Sequence, residues 1–124
     1  GQQDSVGLGT EIDRRYHGMA LPSKFKISVS GCPNKRMDAM MIDFGIMGTP
    51  KGFTIYVGGN GGLNPRFGEK LAEHQTSEQV LQILGRTVSF YKKEARTNER
   101  LGRFIDRLNF DRYRQEVLDT SMVH

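Results

Sequence analysis

The stretch Lys26-Ile-Ser-Val-Ser-Gly-Cys-Pro-Asn34 decides how this sequence is interpreted. Apolar residues alternate with lysine and serine over residues 24–30, and a period of two is typical of a strand with one buried face. The glycine and proline that follow interrupt this pattern, so the sequence predicts a turn over residues 31–34. Cys32 therefore lies at the end of a predicted strand.

Further strands are predicted on the C-terminal side of this turn. Residues 41–47 and 53–57 are rich in β-forming residues, and Pro50 and Gly52 interrupt the chain between them. The two segments therefore predict a hairpin. A short edge strand is predicted over residues 70–74.

Helical patterns flank this β-rich centre. Residues 6–16 have a helical period of apolar residues behind Asp4 or Ser5 as a cap. Thr76 and Gln79 match a capping box at the start of a long amphipathic helix. Shorter helical pieces are predicted at residues 37–40, 100–108 and 110–118.

Together these elements predict an α+β fold, in which a central, mainly antiparallel sheet of three or more strands is packed with helices. A chain of 124 residues is long enough for one domain, expected over residues 1–124. With 36% hydrophobic and 26% charged residues, the composition excludes a largely disordered chain. No apolar run reaches membrane-span length and no signal-peptide pattern begins the sequence, so a cytoplasmic protein is expected.

The single cysteine, Cys32, excludes a disulfide within the chain and a four-thiolate metal site built from this chain alone. At a strand end, backbone N–H groups and Lys35 or Arg36 would lower the pKa of its thiol, which favours a reactive thiol or one ligand of a cluster. The alternative is a buried structural cysteine, the commoner role of a free thiol. The three histidines are far apart, so neither a histidine metal site nor a Ser-His-Asp triad is indicated.

The second glycine-rich segment is Gly58-Gly-Asn-Gly-Gly62. Its bare backbone is suited to cradling an anion or to lying against a flat cofactor, although the glycine spacing is not that of a P-loop or a dinucleotide site. The alternative is a tight hairpin turn, but Asn64 and Pro65 follow too soon for a strand, which favours a loop. If its strand neighbours the one before Cys32, both turns would open onto the same end of the sheet.

Positive charge is concentrated near the C-terminus. The whole chain carries a net charge of +4, and residues 86–114 contain nine lysines or arginines against four acidic residues. Such a segment binds nucleic acid or anionic cofactor groups in some proteins, but a solvated helix face is commoner. Because acidic residues are interleaved and no aromatic platform is present, specific nucleic-acid binding is not expected.

Three motifs occur in order along the chain: residues 26–34, Asp43-Phe-Gly-Ile-Met-Gly48 and Tyr56-Val-Gly-Gly-Asn-Gly-Gly62. Together they resemble the siroheme and iron–sulfur module of the nitrite and sulfite reductases. The resemblance is strongest to the assimilatory NAD(P)H nitrite reductase large subunits. It covers about residues 4–118. The resemblance implies the 4Fe-4S domain-like fold of that family.

In that family a 4Fe-4S cluster is held by two pairs of cysteines. The resemblance implies that Cys32 is the third of these metal ligands, whereas Arg36 stands in the place of the fourth and the first pair has no counterpart. It also implies cofactor contacts for residues that match segments near the siroheme and cluster: Asn34, Gly58, Gly59 and Asn60.

The resemblance thus implies an oxidoreductase, in which siroheme coupled to a 4Fe-4S cluster reduces nitrite to ammonia or sulfite to sulfide with six electrons. This chain would be the C-terminal part of that domain without the upstream cysteine pair, free of cofactor and inactive alone. Its partners would be the remainder of the reductase, an upstream siroheme/ferredoxin-like domain, and an electron donor. The alternative is a non-catalytic relative that binds an anion or a partner.

Overall fold

The computed structural model describes residues 4–31, 34 and 36–118. In this part of the chain the fold is α+β, with five helices and four strands. In chain order the elements are α1 (Ser5–Tyr16), β1 (Ile27–Ser30), α2 (Arg36–Met40), β2 (Phe44–Thr49), β3 (Gly52–Val57), β4 (Glu69–Gln75), α3 (Ser77–Glu94), α4 (Leu101–Leu108) and α5 (Phe110–Val117).

Local signals position the helices as predicted. The Asp4 side chain accepts a hydrogen bond from the backbone N–H of Gly7 at 2.9 Å, which caps α1. At α3 the Thr76 hydroxyl accepts from Gln79 N at 3.1 Å, and the Gln79 side chain accepts from Thr76 N at 2.8 Å. The predicted capping box is therefore confirmed.

The sheet has the strand order β1-β2-β3-β4, with β1 parallel to β2 and the other two pairs antiparallel. This confirms the mainly antiparallel sheet and the β2–β3 hairpin, and it places β4 at an edge as predicted. β2 begins at Phe44, later than expected, because Met41 N–H donates to the Asp38 carbonyl at 3.3 Å and closes a turn after α2. β1 begins at Ile27, because its neighbour Lys26 donates its backbone N–H to the Asp43 carboxylate.

The register places the two glycine turns at opposite ends of the sheet. Ile27 pairs with Phe44, which pairs with Val57, so Gly58 follows β3 at the end where β1 begins. Gly31, which follows β1, is at the other end, and the rest of the predicted turn includes residues 32 and 33, which lie outside the described residues. A shared end was expected only if the two strands were neighbours, and they are not, because β2 lies between β1 and β3 and runs parallel to one and antiparallel to the other. We call these the Gly31 end and the Gly58 end.

The sheet is covered on both faces. One face carries the main core, in which Phe44 and Ile55 are fully buried among residues of α1, α3, α4 and α5. The other face packs against α2, where Ala39 contacts Met47 and Tyr56. No helix in the described residues is long and apolar enough to cross a membrane. The sheet therefore lies between α2 on one face and the other four helices on the opposite face. Its Gly58 end contacts the start of α4.

Candidate functional site

The loop after β3 is held to the start of β2 by backbone hydrogen bonds. Gly58 N–H donates to the Asp43 carbonyl at 2.9 Å, and Gly59 N–H donates to the Ile42 carbonyl at 3.0 Å. Asn60 and Arg66 then exchange two backbone hydrogen bonds across the loop. The segment is a long β3–β4 connection, as the loop interpretation predicted, and not a two-residue hairpin turn.

Three glycines of this region are required by the backbone, two by close contacts within the chain and one by its conformation. A Cβ on Gly59 would lie 2.1 Å from the Met40 carbonyl oxygen, and a Cβ on Gly102 would lie 2.6 Å from the Gly58 carbonyl oxygen. Gly58 itself has φ +88°, which disfavours any side chain. The bare backbone expected to face a cofactor is therefore in contact with the chain's own α2 and α4.

A buried ion pair ties three elements together beneath the loop. Asp43 is 1% exposed, and its carboxylate accepts from Arg100 Nη2 at 2.5 Å, from Arg100 Nε at 3.3 Å and from Lys26 N at 2.9 Å. The starts of β1, β2 and α4 are thus held together. Sequence reasoning missed this pair because its members are 57 positions apart; the charge of Asp43 beside an apolar strand was the available signal.

Two more ion pairs hold the surface of the same region. Arg66 donates to Asp106 at 2.5 and 3.1 Å, and Arg107 donates to Glu99 at 2.7 and 2.8 Å. The hydrogen bonds from Arg107 are the main reason that the pKa of Glu99 is lowered to about 2. The hydrogen bond from Arg66 likewise lowers the pKa of Asp106. Both carboxylates therefore stay ionised at neutral pH.

A groove of about 630 Å³ lies between this loop and the start of α4. Four arginines line it, two of which belong to the ion pairs above. These arginines are Arg66, Arg96, Arg100 and Arg103. Concave, positively charged surfaces concentrate anions, so the groove is the strongest candidate binding site in the described residues.

The predicted site residues divide between two places. Gly58, Gly59 and Asn60 line the groove. Asn34 is exposed and lies between β1 and α2, away from the Gly58 end. Cys32 is outside the described residues. Cofactor contact by these residues stays a prediction.

The donor set of this chain does not fit a four-cysteine cluster. The sequence contains one cysteine, and the described residues contain no group of three or more His, Cys, Asp or Glu placed to hold a metal. Arg36, which the resemblance matches to the fourth ligand, is exposed at the start of α2, and its cationic side chain has no lone pair to donate to iron. A complete cluster would need ligands that this chain does not contain.

Two curated relatives of this chain are reductases. The chain is 44% identical over 108 residues to the nitrite reductase [NAD(P)H] of Emericella nidulans, which covers 87% of this chain and 10% of that protein. It is 36% identical over 118 residues to the assimilatory-type sulfite reductase of Nitratidesulfovibrio vulgaris, covering 95% of this chain and 54% of that protein.

The fold also matches a solved structure. The NirA protein of Mycobacterium tuberculosis superposes with a TM-score of 0.74 over 98% of this chain and 24% of that chain, at 24% sequence identity. The chain thus spans between a tenth and about half the length of the two curated relatives named above. A family model described as the nitrite and sulphite reductase 4Fe-4S domain matches residues 1–124, and this chain belongs to that family.

Proposed function

We propose that this chain is one segment of a cytoplasmic nitrite or sulfite reductase whose activity belongs to a longer polypeptide. The supporting observation is a family match over the whole chain, together with 44% and 36% identity to a nitrite and a sulfite reductase. Because the chain covers only 10% and 54% of those two proteins, we assign catalysis to the larger assembly and expect the chain alone to be inactive.

In this proposal the remaining cluster ligands come from outside the chain. When bound, siroheme and a 4Fe-4S cluster would supply the six-electron reduction of nitrite to ammonia or of sulfite to sulfide. The chain would contribute Cys32 as one ligand and a rigid sheet whose Gly58 end is fixed by Asp43 and Arg100. The partners of the chain would be the upstream siroheme/ferredoxin-like domain and an electron donor.

The proposal is tested on the full polypeptide that the gene encodes and on the 124-residue chain side by side. We expect the full polypeptide to reduce nitrite or sulfite with a reduced viologen dye, and the chain alone to be colourless and inactive. Iron, acid-labile sulfide and the visible spectrum are measured with activity. Four irons bound by the isolated chain, or no turnover of either anion by the full polypeptide, would contradict it.

Arg36 gives a sharper test of the ligand count. In the full polypeptide, Arg36→Cys should raise cluster occupancy, since it adds a thiolate and removes a cation beside the irons. Arg36→Ser is the matched control, because it removes the cation without adding a thiolate. Equal iron content in the original protein and in both variants would show that another residue serves as the fourth ligand.

A second candidate function is a non-catalytic relative that binds an anion or a partner. The arginines of the groove and the cation at position 36 favour it. The two functions differ upstream of Gly1, where a C-x5-C pair is expected only for the reductase. Iron content of the full polypeptide distinguishes them directly.

A further inference from the structure

Most of the charged side chains around the groove at the Gly58 end form ion pairs. Arg100 is neutralised by Asp43, and Arg66 by Asp106. The one other carboxylate that lines the groove, Glu99, is matched by Arg107. Each carboxylate at this site is therefore already held by one guanidinium.

Two of the arginines that line the groove are outside these ion pairs. Among the described residues, Arg96 and Arg103 have no ion pair or side-chain hydrogen bond, and both are exposed. The Arg96 backbone N–H donates to Glu99 Oε1 at 2.9 Å, but the Arg96 guanidinium acts on Glu99, and the Arg103 guanidinium on Asp106, only by longer-range attraction. The groove thus carries an excess of two positive charges on two guanidinium groups whose donors are unused.

We propose that this groove binds an oxyanion with several charged oxygens, held by Arg96 and Arg103. A guanidinium presents a planar fork of donors that matches phosphate or carboxylate oxygens in pairs. The two arginines lie on a rim whose wall is fixed by the Arg66 and Arg100 ion pairs, so the ligand is not needed to order the wall. This inference does not rest on the proposed reductase activity.

The size and lining of the groove limit the ligand further. About 630 Å³ is far more than a single triatomic anion fills, whereas two guanidinium groups can bind a ligand with two anionic groups. Asn64 and Asn98 also line the groove and supply neutral hydrogen-bonding groups. A diphosphate and a tricarboxylate both have this chemistry.

The test is isothermal titration of the full polypeptide that the gene encodes with pyrophosphate and, separately, with citrate, at low salt. We expect at least one to bind, and the double variant Arg96→Gln/Arg103→Gln to lose about tenfold or more in affinity. Tighter binding of pyrophosphate would identify a phosphate-bearing ligand, and tighter binding of citrate a carboxylate-bearing one. Because neither side chain forms an ion pair or hydrogen bond within the part of the chain that the structure describes, circular dichroism should show the double variant folded.

The matched control is Arg112→Gln/Arg114→Gln, which removes the same two charges from exposed positions on α5 outside the groove. We expect the control to change affinity less than about twofold, by the screening of distant surface charges. An equal loss in both double variants would show diffuse electrostatic attraction and overturn the proposal. Binding of neither anion to the folded chain would overturn it as well.

Discussion

The Gly31 end and the Gly58 end of the sheet both consist of a strand that runs into a glycine turn, but they are constrained differently. At the Gly58 end, backbone of α2 and α4 approaches the loop so closely that Gly59 and Gly102 have no room for a Cβ, and a buried ion pair lies beneath. At the Gly31 end, the one close contact of a Cβ on Gly31 with the residues that the structure describes would be the Ser5 side chain, at 2.4 Å. Similar sequence patterns therefore carry different structural demands.

The largest effect is expected from breaking the ion pair at the Gly58 end. Asp43→Ala leaves the Arg100 guanidinium partly buried without its partner and leaves Lys26 N–H without its acceptor. Removing one partner of a buried pair costs about 3–5 kcal/mol of unfolding free energy. Urea unfolding measures it. Asp13→Ala, which removes an exposed carboxylate of α1, is the control and should cost less than about 0.5 kcal/mol.

A cost below about 1 kcal/mol for Asp43→Ala would contradict this account of the Gly58 end. It would mean that backbone contacts alone hold the starts of β1, β2 and α4 together. The comparison of the two ends would then rest on the glycines only.

Replacing one glycine at each end with alanine compares the two ends directly. Gly59→Ala would place a methyl group 2.1 Å from the Met40 carbonyl oxygen. Because a backbone carbonyl cannot rotate away as a side chain can, we expect the free energy of unfolding to fall by about 3 kcal/mol. Gly31→Ala meets the end of a serine side chain, which can rotate, and should change stability by less than about 1 kcal/mol. Thermal or urea unfolding of the two variants decides this. Equal losses would show that both ends are equally tight.

The fold was predictable where local signals decide it. The caps of α1 and α3 follow from Asp4, Thr76 and Gln79, and the alternation around Val29 predicts β1, because a few neighbouring residues fix these geometries. The break between α4 and α5 was also visible, since Asn109 has φ +81° and caps the second helix.

The site was less predictable, because its parts meet only through the sheet register. The residues around Gly31 and Gly58 do not indicate that β2 lies between β1 and β3. That strand order places the two glycines at opposite ends of the sheet. The pairing of Asp43 with Arg100 likewise spans 57 positions. The excess charge of the C-terminal segment was visible, but which of its arginines are unpaired depends on tertiary contacts.

The smallest effect concerns the outer layer of the Gly58 end, where Glu99 pairs with Arg107. The pKa of Glu99 is lowered to about 2 from an ordinary value of 4.5 in the unfolded chain. A lowered pKa means that the folded state favours the ionised form. The stabilisation is therefore complete above pH 4.5 and is lost as the pH falls toward about 2.

Glu99→Gln should accordingly cost less than about 1 kcal/mol near neutral pH, since the Arg107 side chain of this pair is 31% exposed and partly screened by solvent. The difference in unfolding free energy between the original chain and the variant should shrink as the pH falls from 4.5 toward 2, because the original chain then also has a protonated side chain at position 99. Taking the difference cancels the other carboxylates, such as Asp106, that lose their pairs in the same range. Urea unfolding at several pH values provides the data. A difference that does not change with pH would show that the shape and hydrogen bonds of the side chain, and not its charge, hold this layer to the start of α4.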